Sequence, residues 1–218
     1  MLTYLIYLFT LFLSGKADNS IEFKIGITQD GYPTISLDIG NVKSKKLLLS
    51  LYSPMIIAFP YYNLPDHYDK ENSPTYKPLG INAQFPNINA AQPDYKVMIS
   101  EEHFTINNNL NLELKFGAII NENFKCPNTS AGVAGLIRNT DGLENLENTY
   151  LFINQLYDQN KISQKLFYIA PYYKDTKLLS ESKLIIGSYP QEFNLDDLPY
   201  CNLDDTYRKI IWIAVWMK

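Results

Sequence analysis

Apolar and polar positions alternate along several short runs, and residues 31–60 organise the rest of the chain. Ile35, Leu37 and Ile39 alternate with Thr34, Ser36 and Asp38, which predicts a half-buried strand, and Gly40-Asn41 follows with turn chemistry. Residues 47–51 and 55–59 then form a nearly continuous apolar run, the pattern of a strand buried on both faces. Upstream, Ile21-Glu22-Phe23-Lys24-Ile25 is a shorter alternating strand, and Gln29-Asp30-Gly31 is a turn.

Residues 61–94 are rich in Tyr, Asn and Pro and read as loops. Val97-Met98-Ile99 and Phe104-Thr105-Ile106 lead to an Asn107-Asn108-Asn109 turn. Beyond it Leu110, Leu112, Leu114 and Phe116 alternate with Asn111, Glu113 and Lys115, a second half-buried strand. One helix stands out: Phe152, Ile153, Leu156 and Tyr157 lie on one face at helical spacing. Asn148 or Thr149 can cap it, and Asn160 suits the left-handed residue that ends it. The expectation is a mainly-β chain with one clear helix.

Several of these runs carry a resemblance. Tyr32, Ile39, Gly40 and Phe59-Pro60 fall in register with the approach to the active site of pepsin-like aspartic peptidases. There an Ile-Gly strand leads to a buried strand ending in Asp-Thr-Gly-Ser, then an apolar pair and Pro. Ser73-Pro74-Thr75-Tyr76, following His67, is similar to the family's His…Ser-Ser-Thr-Tyr. Phe116-Gly117 with Ala131-Gly132-Val133-Ala134-Gly135-Leu136 resembles its Phe-Gly…Asp-Gly-Ile-Leu-Gly-Leu, whose glycines permit strands to cross closely behind the active-site loop. Residues 151–167 resemble its helix and following strand, 183–190 its Gly turn, and 210–216 the crossover strand between its two lobes.

The resemblance implies one pepsin-like acid-protease lobe over residues 18–209, with residues 210–218 beginning the crossover strand and a second lobe outside the sequence. It also places the catalytic Asp. Counted forwards from Gly40 or backwards from Pro60, that position holds Leu51, and the tetrad reads Leu51-Tyr52-Ser53-Pro54. Aspartic proteolysis needs two carboxylates sharing a proton around one water, and leucine can neither hold nor move one. Residues 84–91, where the family carries its flap, contain no Tyr-Gly, and Pro86 would remove a ladder hydrogen bond, so the flap is expected to be altered or missing. The resemblance therefore implies a homologue that binds peptide or protein without cleaving it. Tyr52, Ser53 and Ile56 would line the cleft, and Ile210, Trp212 and Val215 would face a second copy or a partner lobe. The alternative is an endopeptidase of which this sequence is an incomplete gene product.

Composition narrows the remaining choices. A net charge of −4 without a long basic run gives nucleic-acid binding no electrostatic footprint. Residues 2–13 are apolar apart from two Thr, and Gly15 and Ala17 suit a signal-peptidase site, so residues 1–17 read as a signal peptide, with an uncleaved anchor as the alternative. Spanning a bilayer needs roughly 20 apolar residues, so no stable membrane span is expected once it is cleaved. The expected location is the secretory pathway, ending outside the cell or in a lysosome or vacuole. There Cys126 and Cys201 favour an intramolecular disulfide over free thiols or an intermolecular link, and Asn128-Thr129-Ser130 is a glycosylation acceptor.

Other chemistry is set aside on the same grounds. Asp38-Ile39-Gly40 could pass for a displaced Asp-Thr-Gly, but register puts Asp38 on the polar face of an edge strand, as a solvated side chain. His67 and His103 have no nucleophile elbow or ligand cluster beside them and read as surface residues. The pairs Asp196-Asp197 and Asp204-Asp205 lack the spacing of a calcium loop. Neither a metal nor a cofactor is expected.

Overall fold

The computed structural model describes residues 19–51, 53–60, 68–85, 94–107, 109–121, 130–136, 146–170, 173–174, 177–178 and 182–188. β1 (Ile21–Lys24) and β2 (Gly26–Ile27) lead into β3 (Pro33–Ile39), which turns at Gly40 and Asn41 into β4 (Val42–Ser50). A loop then enters β5 (Ile56–Ala58), followed by β6 (Lys77–Phe85), β7 (Tyr95–Ile106), β8 (Leu110–Ile119) and β9 (Gly132–Gly135). A 3-10 turn at Asn148–Tyr150 precedes α1 (Phe152–Asp158). β10 (Phe167–Ala170), β11 (Tyr173–Lys174), β12 (Lys177–Leu178) and β13 (Lys183–Ile186) come last. The fold is mainly β, with one α-helix among the described residues.

The large sheet runs β2-β3-β4-β9-β5-β8-β7-β6, and β3 also pairs with β7 through Asp38↔Thr105 and Ile39↔Phe104. That pairing closes β3, β4, β9, β5, β8 and β7 into a barrel. A register shift between Leu37 and Ile39 marks a bulge, which bends β3 away from β4 and toward β7. The apolar residues of the alternation expected for β1, β3 and β8 face the core: Ile21 and Phe23, Ile35 and Leu37, and Leu112, Leu114 and Phe116 are all buried, although in β3 the polar Thr34 and Asp38 are buried as well.

Two apolar clusters share the strands between them. Ile35, Leu37, Leu47, Ile56, Ala58, Phe104, Leu114 and Phe116 belong to one, which also takes in Phe23, Leu184 and Ile186 from the sheet β1-β13-β10. Met55, Ile57, Phe59, Val97, Ile99 and Val133 belong to the other. Residues 55–59 therefore feed alternate side chains to both clusters, as their unbroken apolar run implies. β4 does not follow that expectation: Leu47 is fully buried, while Leu48 and Leu49 are only half covered. Each fully buried Phe or Leu of these clusters stabilises the fold by about 1.5–3 kcal/mol.

α1 is short and is held on the barrel by side-chain amides. Gln155 Oε1 accepts from Lys115 N at 2.6 Å while its Nε2 donates to Lys115 O at 2.9 Å and Tyr150 O at 3.0 Å. Gln159 Nε2 donates to Glu113 O at 2.9 Å. β5 pairs with β8 only at Gly117 and Ala118, so these amides extend the ladder along β8 where that strand partner has ended. Phe152, Ile153 and Leu156 pack into the core as expected. Tyr157 does not: it is 41 % exposed, with Lys165 Nζ 4.8 Å from its ring centre. The capping expectation is also corrected. Leu151 is the N-cap, without a side-chain bond, because Asn148 and Thr149 are drawn into the preceding 3-10 turn. Asn160 adopts φ +56°, the left-handed geometry read from its sequence position.

Residues 77–85 overturn the reading of 61–94 as loops. They form β6, an end strand of the sheet, paired with β7 from Lys77↔Glu101 to Phe85↔Tyr95. Of residues 84–91, where the flap was expected to be altered or missing, only Gln84 and Phe85 are described, at the end of β6; residues 86–93 lie outside the described residues.

Candidate functional site

Where β4 ends and β5 begins, the chain makes the arrangement that sets the candidate site. β9 runs parallel to β4 (Leu47↔Gly132 to Ser50↔Gly135) and antiparallel to β5 (Ile56↔Ala134 to Ala58↔Gly132). It therefore lies between two strands that are consecutive in sequence, and the loop joining them crosses its end. Gly135 N donates to Met55 O at 3.1 Å, and Leu136 N donates to Ser50 O at 2.8 Å. The crossing needs glycine. A Cβ at Gly132 would sit 2.2 Å from Ile57 O, and one at Gly135 would sit 2.3 Å from Ser53 O and 2.6 Å from Met55 O. This is the close passage read from the glycines of 131–136.

The loop offers little chemistry. Leu51 is half buried and packs on the barrel core. Ser53 is 3 % exposed; its N–H takes Ser50 Oγ at 3.1 Å, and its hydroxyl donates to Met55 O at 3.0 Å. Among the described residues its bonds run to Ser50 and to a backbone carbonyl, neither of which is a base that could activate it. Pro54 is buried, with its carbonyl accepting from Phe152 N at 3.4 Å, which docks the start of α1 under the loop. Ile56, read as a cleft residue, is 1 % exposed and belongs to the core. Ser53 and Ile56 thus both face inward. Tyr52 lies outside the described residues.

Asp38 corrects another expectation. It is 5 % exposed rather than solvated, on a strand paired at that point with β7 as well as β4. Its Oδ1 accepts from Ser44 N at 2.7 Å and its Oδ2 from Lys43 Nζ at 3.1 Å. Ser44 has φ +50°, so the carboxylate fastens a strained residue of β4 across the bulge. Both oxygens are committed to architecture.

The most elaborate polar centre is one that the sequence reading passed over. Glu102, on β7, is fully buried. Its carboxylate accepts from the hydroxyls of Tyr68 and Thr75, from Ser73 Oγ at 2.6 Å and from His103 N at 2.8 Å. Burial pushes this carboxyl up, but the donors from Ser73, Thr75, Tyr68 and the His103 N–H outweigh it and hold it below the ordinary glutamate value. Burial, then the bond to Glu102, push the Tyr68 hydroxyl well above the tyrosine range, so Tyr68 remains a donor. Gly40, at φ +58°, closes the centre from the β3–β4 turn; a Cβ there would lie 2.5 Å from Ser73 Oγ. One signal could have found it: Glu102 shares its phase with Phe104 and Ile106, which point inward.

His103 is exposed, opposite Glu113 on β8. His67, Cys126, Asn128, Cys201, both Asp-Asp pairs, Ile210, Trp212, Val215 and residues 1–17 lie outside the described residues. Among the described residues no group of three or more His, Cys, Asp and Glu could hold a metal ion, and no helix is long and apolar enough to cross a membrane. Comparison with protein-family models found no match, and comparison with curated proteins found none either.

Proposed function

We propose that this chain is a pepsin-like aspartic-peptidase lobe that binds peptide or protein without cleaving it, in the secretory pathway or in a lysosome or vacuole. The observation that carries the reading is the threading of β9 between β4 and β5, beneath a loop whose catalytic position is Leu51. In the family, a Gly-rich strand crosses closely behind the active-site loop, and Gly132 and Gly135 make such a crossing here. The second support is the ribbon β6–β7, whose first strand ends at Phe85, within the residues 84–91 to which the resemblance assigns the flap. Inactivity follows from chemistry. Proton transfer to and from water and the scissile carbonyl needs carboxylates in that loop, and Leu51, Ser53, Pro54 and Met55 supply none.

The test exposes the full chain to a library of unstructured peptides between pH 3 and 7, with retained and released peptides read by mass spectrometry. Retention of a sequence class with intact termini is the expected result. New termini would overturn the inactivity, and failure to retain any peptide across the range would overturn the binding role.

A further inference from the structure

The centre around Glu102 joins one segment to the barrel. Tyr68, Ser73 and Thr75 all come from residues 68–76, and all three hydroxyls end on one carboxylate of β7. Among the described residues the other polar ties of this segment to the barrel include Tyr68 N to Phe59 O at 3.2 Å, within a bridge between Tyr68 and Pro60, Asn41 Nδ2 to Asn72 O at 3.2 Å and Ser100 Oγ to Tyr76 OH at 3.0 Å. Beneath it, the rings of Tyr68 and Tyr76 cover Phe116 at 5.5 and 6.3 Å. The barrel's own closure runs through β3–β7 and β5–β8 and does not pass through this segment.

We propose that Glu102 is the catch of an acid-released latch: its protonation frees residues 68–76 while the barrel stays assembled, uncovering aromatic surface at Tyr68 and Phe116. The inference does not depend on the peptidase-like reading. A carboxylate only accepts, and this one is filled by donors. Protonated, it brings an O–H of its own into a ring of O–H and N–H groups, so at least one hydroxyl must redirect its proton to accept it, and the charge that strengthened the other bonds is lost. Its bonded partners are hydroxyls and a backbone N–H, and the one buried cation among the described residues, Lys45, lies on β4 opposite Leu37. From the segment come Tyr68, Tyr76, Ser73 and Thr75; from the β3–β4 turn comes Gly40; opposite on β8 stands Leu114. Glu101 and His103 alternate to the other face of β7, and Asp69 is turned outward to Asn72.

The sign follows from the depressed value of Glu102. The hold is complete above the ordinary glutamate value of about 4.3 and is lost as pH falls through the lower folded value. The latch therefore opens in acid, below about pH 4.3.

Hydrogen exchange of the full chain between pH 7 and 2.5, corrected for intrinsic rates, tests this. Residues 68–76 should lose protection at a higher pH than β7 and β8. Thr75→Val and Ser73→Ala, each removing one donor to a charged acceptor, should each raise that midpoint by about one pH unit. Glu102→Gln should abolish the local pH step and leave the segment open throughout. Loss of protection in 68–76 together with β7 and β8 in the wild type, or midpoints unmoved in both donor variants, would overturn the proposal; the donor variants decide it even if Glu102→Gln does not fold.

Discussion

Gly135 passes so close beneath Ser53 that a Cβ at 135 would lie 2.3 Å from the Ser53 carbonyl oxygen. Backbone on both sides leaves that contact no flexible partner to yield. Gly135→Ala should therefore destabilise the protein by about 3 kcal/mol, at the upper end of overpacking costs. Gly31 gives the contrast, with nothing within 4 Å of its Cβ site and only φ +86° to strain. Gly31→Ala should cost about 1–2 kcal/mol. Chemical denaturation of both variants checks the pair.

Asp38 gives a second prediction, because Lys43 and Ser44 share it unequally. Asp38→Ala leaves the Ser44 N–H without its charged acceptor and should cost about 2 kcal/mol. Lys43 is largely exposed, so Lys43→Ala should change stability by less than about 0.5 kcal/mol despite the ion pair. Equal losses from the two variants would contradict the role assigned to the bulge.

Gln155 should be intolerant of an apolar replacement of similar size. Gln155→Met keeps helix propensity but leaves the Lys115 N–H and carbonyl without their amide, at a cost of about 2 kcal/mol. Gln159→Ala removes one exposed bond to Glu113 O and should cost under about 1 kcal/mol. Denaturant midpoints at matched slope measure both.

Glu102 and Glu113 both lie below the ordinary glutamate range, for different reasons, and acid should separate them. The bond to Lys77, at 2.7 Å, lowers Glu113, but both groups stand in solvent, where salt screens the pair. Glu113→Gln should therefore leave the acid unfolding midpoint unchanged. Glu102 is buried, and its protonation removes a bonded centre, so Glu102→Gln should flatten the acid branch of stability against pH. A larger effect at Glu113 would contradict this assignment.

Much of the barrel could be read from alternation alone, because β1, β3 and β8 each keep one face in the core. β6 could not. Pro78 and Gly80 read as turn residues, yet an end strand tolerates both, and the register shift between Pro78 and Ile81 absorbs Gly80 at φ +73°. Asp38 was misplaced because alternation cannot see the register shift between Leu37 and Ile39, or that the edge of β3 is paired with β7 at that point. In the candidate site, the glycines of 131–136 announced the close crossing, and the absence of a carboxylate from 51–54 is plain in the sequence. The inward turn of Ser53 and Ile56 was not legible, since it depends on β9 running beneath the loop. Glu102 was missed because its phase with Phe104 is visible only once strand β7 is known to run unbroken through four polar residues, 100–103.

The most direct test of the account is incubation of the purified full chain with an unfolded protein at pH 3–6, with products read by mass spectrometry. The proposed reading, in which Leu51 stands in place of a catalytic carboxylate, predicts no new termini at any pH. Cleavage that persists in Asp38→Asn and is blocked by a transition-state mimic of aspartic peptidases would contradict it.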